Sequence, residues 1–375
     1  MNALFIGDRR TQPELGRRME RMKRTLIPEP PRSILLVRLT ARGDVVFSSP
    51  MVRALRQTYP DASISWLGEA HTIGLIEHHP ELHQVFSWDR ERWKALLAKG
   101  RFLTLAREAL DLVGALRKQK FDLAIDLQGF LRSGLMAFLS GARTRIVLRP
   151  REGSHLFADH VIDRHRDQGN RWEISSAYRF LAAELGLNTE DFRMEVPLTP
   201  EDRDYAERII KDRRLGEGYA VAIPHTTRPQ KHWFEDRWAV LMDRVLEEYG
   251  FPTVILGGGL DEAADRRIRG QTAANPVSLV GQTTLRQAAA IIERASLVIG
   301  VDTGLTHIGI AFDRPTIGIY GSNVPYTETF TNRTRALIHW LDCVPCKGHP
   351  TCDGDFTCLR LITVDEVLDA AREIL

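Results

Sequence analysis

The chain has 375 residues, 43% of them hydrophobic, which is enough for two ordinary α/β domains that each bury a core. Its 51 basic and 49 acidic residues nearly cancel, to a formal +2, so it lacks the overall field of a nucleic-acid binder. No run has the length of apolar residues that a bilayer span needs, and the N-terminus lacks the apolar core of a secretion signal, so the expectation is a cytoplasmic protein.

Residues 1–32 form a basic arm, with eight Arg or Lys against four acidic residues. Thr11 and Glu14, with Pro13 between them, read as a capping box, and Leu15, Met19, Met22 and Leu26 follow at helical spacing. The pattern predicts a short amphipathic helix that either meets anionic lipid headgroups or packs, half solvated, on the domain or on a partner subunit. Pro28, Pro30 and Pro31 separate the arm from the body.

Next comes a β-loop-α unit. The apolar, branched run at 33–39 reads as a buried parallel strand, a turn with Gly43 follows, and Ser49 and Pro50 start a helix to about Tyr59. Further strands are expected at 63–67, 85–86, 123–126 and 144–148, with helices such as 104–118 between them. A charged helical connector spans roughly 172–213, and the pattern restarts with strands at 219–223, 253–256, 277–279, 297–300 and 316–320. Thr363 and Glu366 cap a last helix that in such architectures can cross back over the first half. The reading divides the chain into the arm, a first Rossmann-like domain at 33–190, a second at 191–362, and a C-terminal helix at 363–375. Ligands of two such sheets bind in the cleft between them, where strand ends and helix N-termini open.

Four segments carry candidate chemistry. Asp44 follows the first strand at its carboxyl edge, where a carboxylate can act as general base on an acceptor hydroxyl or can simply cap a turn. Only Gly43 stands in that turn, so the three-glycine dinucleotide fingerprint is absent. In the second half, Thr226, Thr227, Arg228 and Lys231 lie between a strand and a helix starting near Phe234, a place suited to a diphosphate or to a solvated polar loop. Lys231 has two separable roles there, a charge on the leaving diphosphate or a partner for a carboxylate. Asp302, Thr303, Gly304 and His307 lie between the 297–300 strand and the next helix, where backbone N–H groups and the helix dipole favour a phosphate. Gly257, Gly258 and Gly259 permit close backbone approach to a nucleoside, with Asp261 offered to a ribose hydroxyl.

The four cysteines, Cys343, Cys346, Cys352 and Cys358, fall within sixteen residues, with Gly348, Pro350 and Gly354 between them. In a reducing compartment that density points to a tetrahedral zinc or iron thiolate site of structural purpose, or to plain thiols.

Taken together, R-L-T-A-R-G-D-V-V-F-S-S-P, T-T-R-P-Q-K-H-W and V-D-T-G-L-T-H-I-G-I-A-F-D-R-P-T-I-G-I-Y-G resemble the ADP-heptose:lipopolysaccharide heptosyltransferases of glycosyltransferase family nine, from about Ile34 to the C-terminus. The resemblance implies a GT-B fold and ADP-L-glycero-β-D-manno-heptose as donor. It also implies inversion at the anomeric carbon, a lipopolysaccharide inner-core acceptor of the Kdo-lipid A type, and no catalytic metal. By position, Asp44 matches the family's catalytic base and Lys231 the lysine on the departing diphosphate. Thr226, Thr227, Asp302, Thr303, Gly304 and His307 match donor-binding positions. Gly43, Gln128, Arg132, Arg149 and Arg151 are similar to acceptor-facing segments, and arginines there suit an anionic lipid glycan. Asp261 stands near a point where some members carry a glutamate. Several members bear a cysteine segment here, and a branch that heptosylates proteins holds iron in it. The expected place of work is the cytoplasmic face of the inner membrane, with the oligomeric state open. Rival readings are a protein heptosyltransferase, a two-lobed nucleotide-sugar epimerase and a binding protein without activity; Asp44 and Lys231 speak against the last.

Overall fold

A computed structural model describes residues 26–27, 29–163, 172–216, 218–346 and 348–375. The expected arm helix lies outside them, apart from Leu26, which with Ile27 packs against the core.

The first lobe is a six-stranded parallel sheet in the order β3-β2-β1-β4-β5-β6. Its strands are β1 (Ser33–Val37), β2 (Ser63–Glu69), β3 (Gln84–Trp88), β4 (Leu123–Asp126), β5 (Thr144–Leu148) and β6 (His160–Ile162). Strands β1, β2 and β4 are buried along nearly their whole length, which is why they read as unbroken apolar runs. Helices α1 (Arg42–Ser48) and α2 (Pro50–Thr58) follow β1; α3 (Arg90–Ala98) and α4 (Phe102–Lys118) follow β3; α5 (Leu131–Leu139) follows β4.

The connector holds α6 (Ser176–Glu184), which packs on α2, and α7 (Pro200–Asp212), which packs on a helix of the second lobe. Between them the chain stays bound to the first lobe as far as Glu195, whose carboxylate meets His79 Nε2 at 2.6 Å and whose amide donates to Ser49 Oγ at 2.7 Å.

The second lobe repeats the winding. Its sheet, β12-β11-β10-β7-β8-β9, is built from β7 (Ala220–Ile223), β8 (Thr253–Ile255), β9 (Val277–Ser278), β10 (Leu297–Val301), β11 (Thr316–Ile319) and β12 (Thr334–Leu337). Its helices are α8 (Glu235–Tyr249), α9 (Glu262–Arg269), α10 (Leu285–Glu293) and α11 (Gly304–Ala311), then α12 (Thr357–Leu361) and α13 (Val364–Ile374). Renumbered from its own first strand, this sheet has the same doubly wound order as the first. The fold is therefore GT-B, two Rossmann-like lobes whose carboxyl strand edges share a cleft.

Two details differ from the sequence expectation. The last helix does not cross to the first half: Val367, Leu368, Ala371 and Ile374 are buried in the second lobe, against α8, β11 and β12. The turn expected around Gly43 is the first turn of α1, a helix whose N-cap, Ala41, has no capping side chain.

Candidate active site

In the first lobe Asp44 sits in the first turn of α1. Its Oδ2 accepts from the Ala41 amide at 3.2 Å and meets Arg38 Nη2 at 2.5 Å. The pair is asymmetric: the aspartate side chain is 40% exposed and the arginine 9%. Arg38 is anchored behind it, donating from Nη1 to the Leu127 carbonyl at 2.9 Å and lying over the Tyr178 ring. Gln128 fixes the loop that carries Asp44: its Oε1 accepts from the Leu39 and Thr40 amides, and its Nε2 donates to Thr40 Oγ1.

Beneath Gln128, the buried Asp126 accepts from the Gln128 and Gly129 amides and from Ser133 Oγ. Burial raises its pKa from 3.8 to about 6, against the pull of those hydrogen bonds. Gly129 is required at its place, because its φ is +72° and a Cβ would come within 2.4 Å of the Leu148 carbonyl. The turn shapes a pocket of about 220 Å³ in which Arg38, Asp44, Gln128, Arg149, Arg151 and Tyr178 are among the lining residues. Its wall is cationic around one carboxylate, a setting for an acidic polyhydroxy ligand.

In the second lobe Lys231 Nζ meets Asp302 Oδ2 at 2.5 Å, with side-chain exposures of 17% and 14%. Asn323 Nδ2 donates to the same Asp302 oxygen at 2.7 Å, and His307 Nε2 lies 3.5 Å from the other. Burial pushes the Asp302 pKa up, but His307 and Lys231 outweigh it and hold the carboxyl well below the usual range. His307 is buried and its Nδ1 has no hydrogen-bond partner among the described residues. Thr303 is the N-cap of α11 without a side-chain cap bond, so the helix opens with unclaimed N–H groups beside Lys231.

The lobes meet at these two helix starts. A Cβ at Gly43 would lie 3.2 Å from His307 Cδ2, and one at Gly304 would lie 3.0 Å from Arg42 Cβ. The Phe47 ring stands 4.6 Å from His307, centroid to centroid. Gly43 thus faces the second lobe and is not among the residues lining the Asp44 pocket. Arg286, paired with Glu77 of the first lobe and with Asp202 Oδ2 at 3.0 Å, adds a polar tie.

Other candidate residues lie around this junction. His232 holds the Thr226 carbonyl at 2.7 Å, which shapes the loop of Thr226, Thr227 and Arg228. Arg228 packs against Gly348 of the cysteine segment, and Gln230 Nε2 donates to the Gly348 carbonyl at 3.4 Å. Asp261 turns its Oδ2 onto the Gly258 amide at 2.8 Å, next to the buried His225. Arg132, in the first turn of α5, is not among the residues lining the Asp44 pocket.

The cysteines are free, half-buried thiols. Burial raises the Cys358 thiol, and the other three cysteines push the same way. Among the described residues no three His, Cys, Asp or Glu side chains are arranged to hold a metal ion.

Sequence reasoning missed Arg38, Tyr178, Asn323 and His225. Arg38, inside the apolar run at 33–39 and directly after β1, was the one with a visible signal: a charge within such a run requires a buried partner.

Fold and site define a two-lobed glycosyltransferase of the GT-B kind. The chain belongs to glycosyltransferase family 9 (heptosyltransferase), whose pattern matches residues 109–354. Lipopolysaccharide heptosyltransferase 3 of Escherichia coli K12 is 28% identical over 309 residues, 76% of this chain and 83% of that protein. Lipopolysaccharide core heptosyltransferase OpsX of Haemophilus influenzae is 22% identical over 305 residues, 80% and 82% of the two chains. The family 9 structure from Veillonella parvula superposes with a TM-score of 0.77 at 20% identity, covering 92% of this chain and 97% of its own. E. coli heptosyltransferase WaaC with ADP gives 0.69 at 22%, covering 92% and 100%.

Proposed function

We propose that the protein transfers heptose from ADP-L-glycero-β-D-manno-heptose to the inner core of lipopolysaccharide, an acceptor of the Kdo-lipid A type, with inversion. The observation that carries this is the abutment of the two helix starts, which sets Gly43, the residue before Asp44, against Gly304 and His307. Asp44 takes the proton of the acceptor hydroxyl while its oxygen bonds to the anomeric carbon. The bond from that carbon to the diphosphate breaks on the opposite face, and its electron pair leaves with ADP. Lys231 and the N–H groups of α11 meet the diphosphate, with Thr226, Thr227, Arg228 and His307 around it and Asp261 on the nucleoside side. These cations and amides supply the charge that a catalytic metal would otherwise bring, so the rate in EDTA should equal the rate without it.

Arg149, Arg151 and Arg38 give the acceptor pocket its preference for an acidic sugar. The activities of the relatives favour lipopolysaccharide over a protein acceptor, and no specific observation supports an epimerase. Among the described residues no helix is long and apolar enough to cross a membrane, and the proposed place of work is the cytoplasmic face of the inner membrane. For the cysteine segment, structural zinc or iron is the proposal, and elemental analysis of the purified protein tests it.

The decisive experiment incubates the protein with ADP-heptose and a panel of truncated core acceptors and weighs the products. A single heptose added to an inner-core acceptor, with ADP released only when acceptor is present, supports the reading. ADP-heptose consumed without acceptor, or no transfer to any core acceptor, defeats it.

A further inference from the structure

The outer face of the first lobe carries apolar surface that its own fold does not cover. Helix α4 is 17 residues long, yet Leu116 is its one fully buried residue. Leu103 is 90% exposed and Leu110 71%. On α5 the buried residues Ser133, Met136 and Ala137 face the first lobe's core and Gly134 meets the turn at Ser154, while Leu131, Leu135 and Phe138 are exposed at helical spacing. Leu156, 75% exposed, belongs to the short 3₁₀ turn Ser154–Phe157 that packs against α5. Among the described residues, nine of the fifteen exposed large apolar side chains fall between 97 and 161. Such a concentration marks an interaction surface.

Charge is concentrated in the same segment. Residues 99–157 hold eleven Lys or Arg against five Asp or Glu, in a chain whose total is only +2. Four of the five acids are already engaged: Asp126 is buried in its turn, Asp122 accepts from the Arg32 amide, Glu108 is paired with Arg92, and Asp111 with Arg107 of the same helix. The apolar face is therefore set in a basic surround.

Its position relative to the site is fixed. Arg117 Nε donates to the Leu139 carbonyl at 3.1 Å, which ties the C-terminal ends of α4 and α5 together. Both helices run antiparallel to the sheet, and α4 is eight residues longer, so its start projects roughly 12 Å past that of α5 toward the cleft. The α5 stripe begins one residue after Phe130, which lines the Asp44 pocket under the Arg151 guanidinium. Apolar face and acceptor pocket are thus continuous.

We propose that the α4–α5 face, with Leu156, is the surface by which the protein lies on an anionic bilayer. Its apolar side chains enter the boundary between headgroups and acyl chains, and its lysines and arginines meet lipid phosphates. The acceptor pocket then opens at the membrane plane, where the sugar of a lipid-linked acceptor lies. The proposal rests on the lipid-linked acceptor argued above. It assigns the membrane contact to the body of the first lobe, where the sequence offered lipid contact by the N-terminal arm as one of two readings.

The test uses the full chain and vesicles of phosphatidylglycerol with phosphatidylcholine, or of phosphatidylcholine alone. Two variants are compared with the parent, one carrying Leu103→Glu, Leu110→Glu and Leu135→Glu, the other Arg17→Gln, Arg18→Gln and Arg21→Gln. The parent is expected to cosediment with the anionic vesicles and not with the neutral ones. The leucine variant should bind them about tenfold more weakly, and the arm variant within about threefold of the parent. With an unchanged melting temperature, the leucine variant should keep the parent's rate on a deacylated, water-soluble acceptor and lose about tenfold on acceptor embedded in vesicles. Parental vesicle binding by the leucine variant overturns the proposal, as does loss of binding in the arm variant alone. So does a leucine variant that only dissociates an oligomer in analytical ultracentrifugation. If no acceptor is turned over, the functional reading fails by itself, while the vesicle comparison still decides this one.

Discussion

The two lobes each place a lysine or arginine against an aspartate at the cleft, with opposite emphasis. In the first lobe Arg38 is buried behind and Asp44 stands forward, 40% exposed. In the second lobe Asp302 is covered and held by Lys231, Asn323 and His307 together. A carboxylate with one strong partner and an open side is a reagent; a carboxylate with three partners is a support that aims the cation beside it. On the proposed function, the same ion-pair chemistry serves as a base on one side of the cleft and as a diphosphate clamp on the other.

The sharpest way to break this comparison is Asp44→Ala. Transfer should fall by about 10³-fold, with ADP-sugar affinity within a few-fold, because a base acts mainly in the transition state. Kinetics paired with ADP-sugar titration checks this, and parental rates in the variant remove Asp44 from the base role. Lys231→Ala comes next: turnover should drop about 10²-fold and donor affinity should weaken with it, since a clamp acts on ground and transition states alike. A loss confined to kcat would reassign the lysine.

A smaller effect separates the two lobes by pH. Asp302 has a depressed pKa, so its contribution to stability is complete above its ordinary value of 3.8 and is lost as pH falls below that. Asp302→Asn should cost about 2 kcal/mol at neutral pH, and the deficit should vanish on acidification. Asp126 behaves oppositely. With its pKa raised from 3.8 to about 6, the folded state binds the extra proton, so stability declines as pH rises through that window. Asp126→Asn should flatten this slope. Denaturant unfolding from below pH 2 up to pH 7 measures both, and slopes of the same sign for the two residues would contradict the assignment.

The smallest effect belongs to Arg38. Arg38→Met should lower kcat about tenfold at unchanged donor KM, and Arg38→Lys should recover most of it, as expected of a residue that positions Asp44 without touching the donor. A matching rise in donor KM would place Arg38 in the donor site instead.

Much of this was legible in the chain. Strands β4 and β5 match their expected bounds, and β1, β2, β7, β8, β10 and β11 lie within two residues of theirs, because central parallel strands must be continuous apolar runs. Thr363 caps the last helix as its capping box predicts. The edge strands β6 and β12 were not legible: β12 is only half-buried along its length, so no apolar run marks it. Helix α1 was read as a turn because its capping contact comes from inside the helix, from Asp44 back to the Ala41 amide.

The sequence by itself determined the two windings and which polar residues sit at carboxyl strand edges, since burial and capping are local demands written residue by residue. It also carried Asp44, Lys231 and the 302–307 turn as candidates. Only tertiary structure decided their partners. Arg38 with Asp44, Gln128 on the Thr40 loop and Asn323 on Asp302 join segments that chain order keeps apart, and Gly43 meets His307 across two lobes. The last helix illustrates the same limit. Its amphipathic pattern required an apolar surface to cover, and the competition between two lobes offering one was settled by packing against α8 and β11.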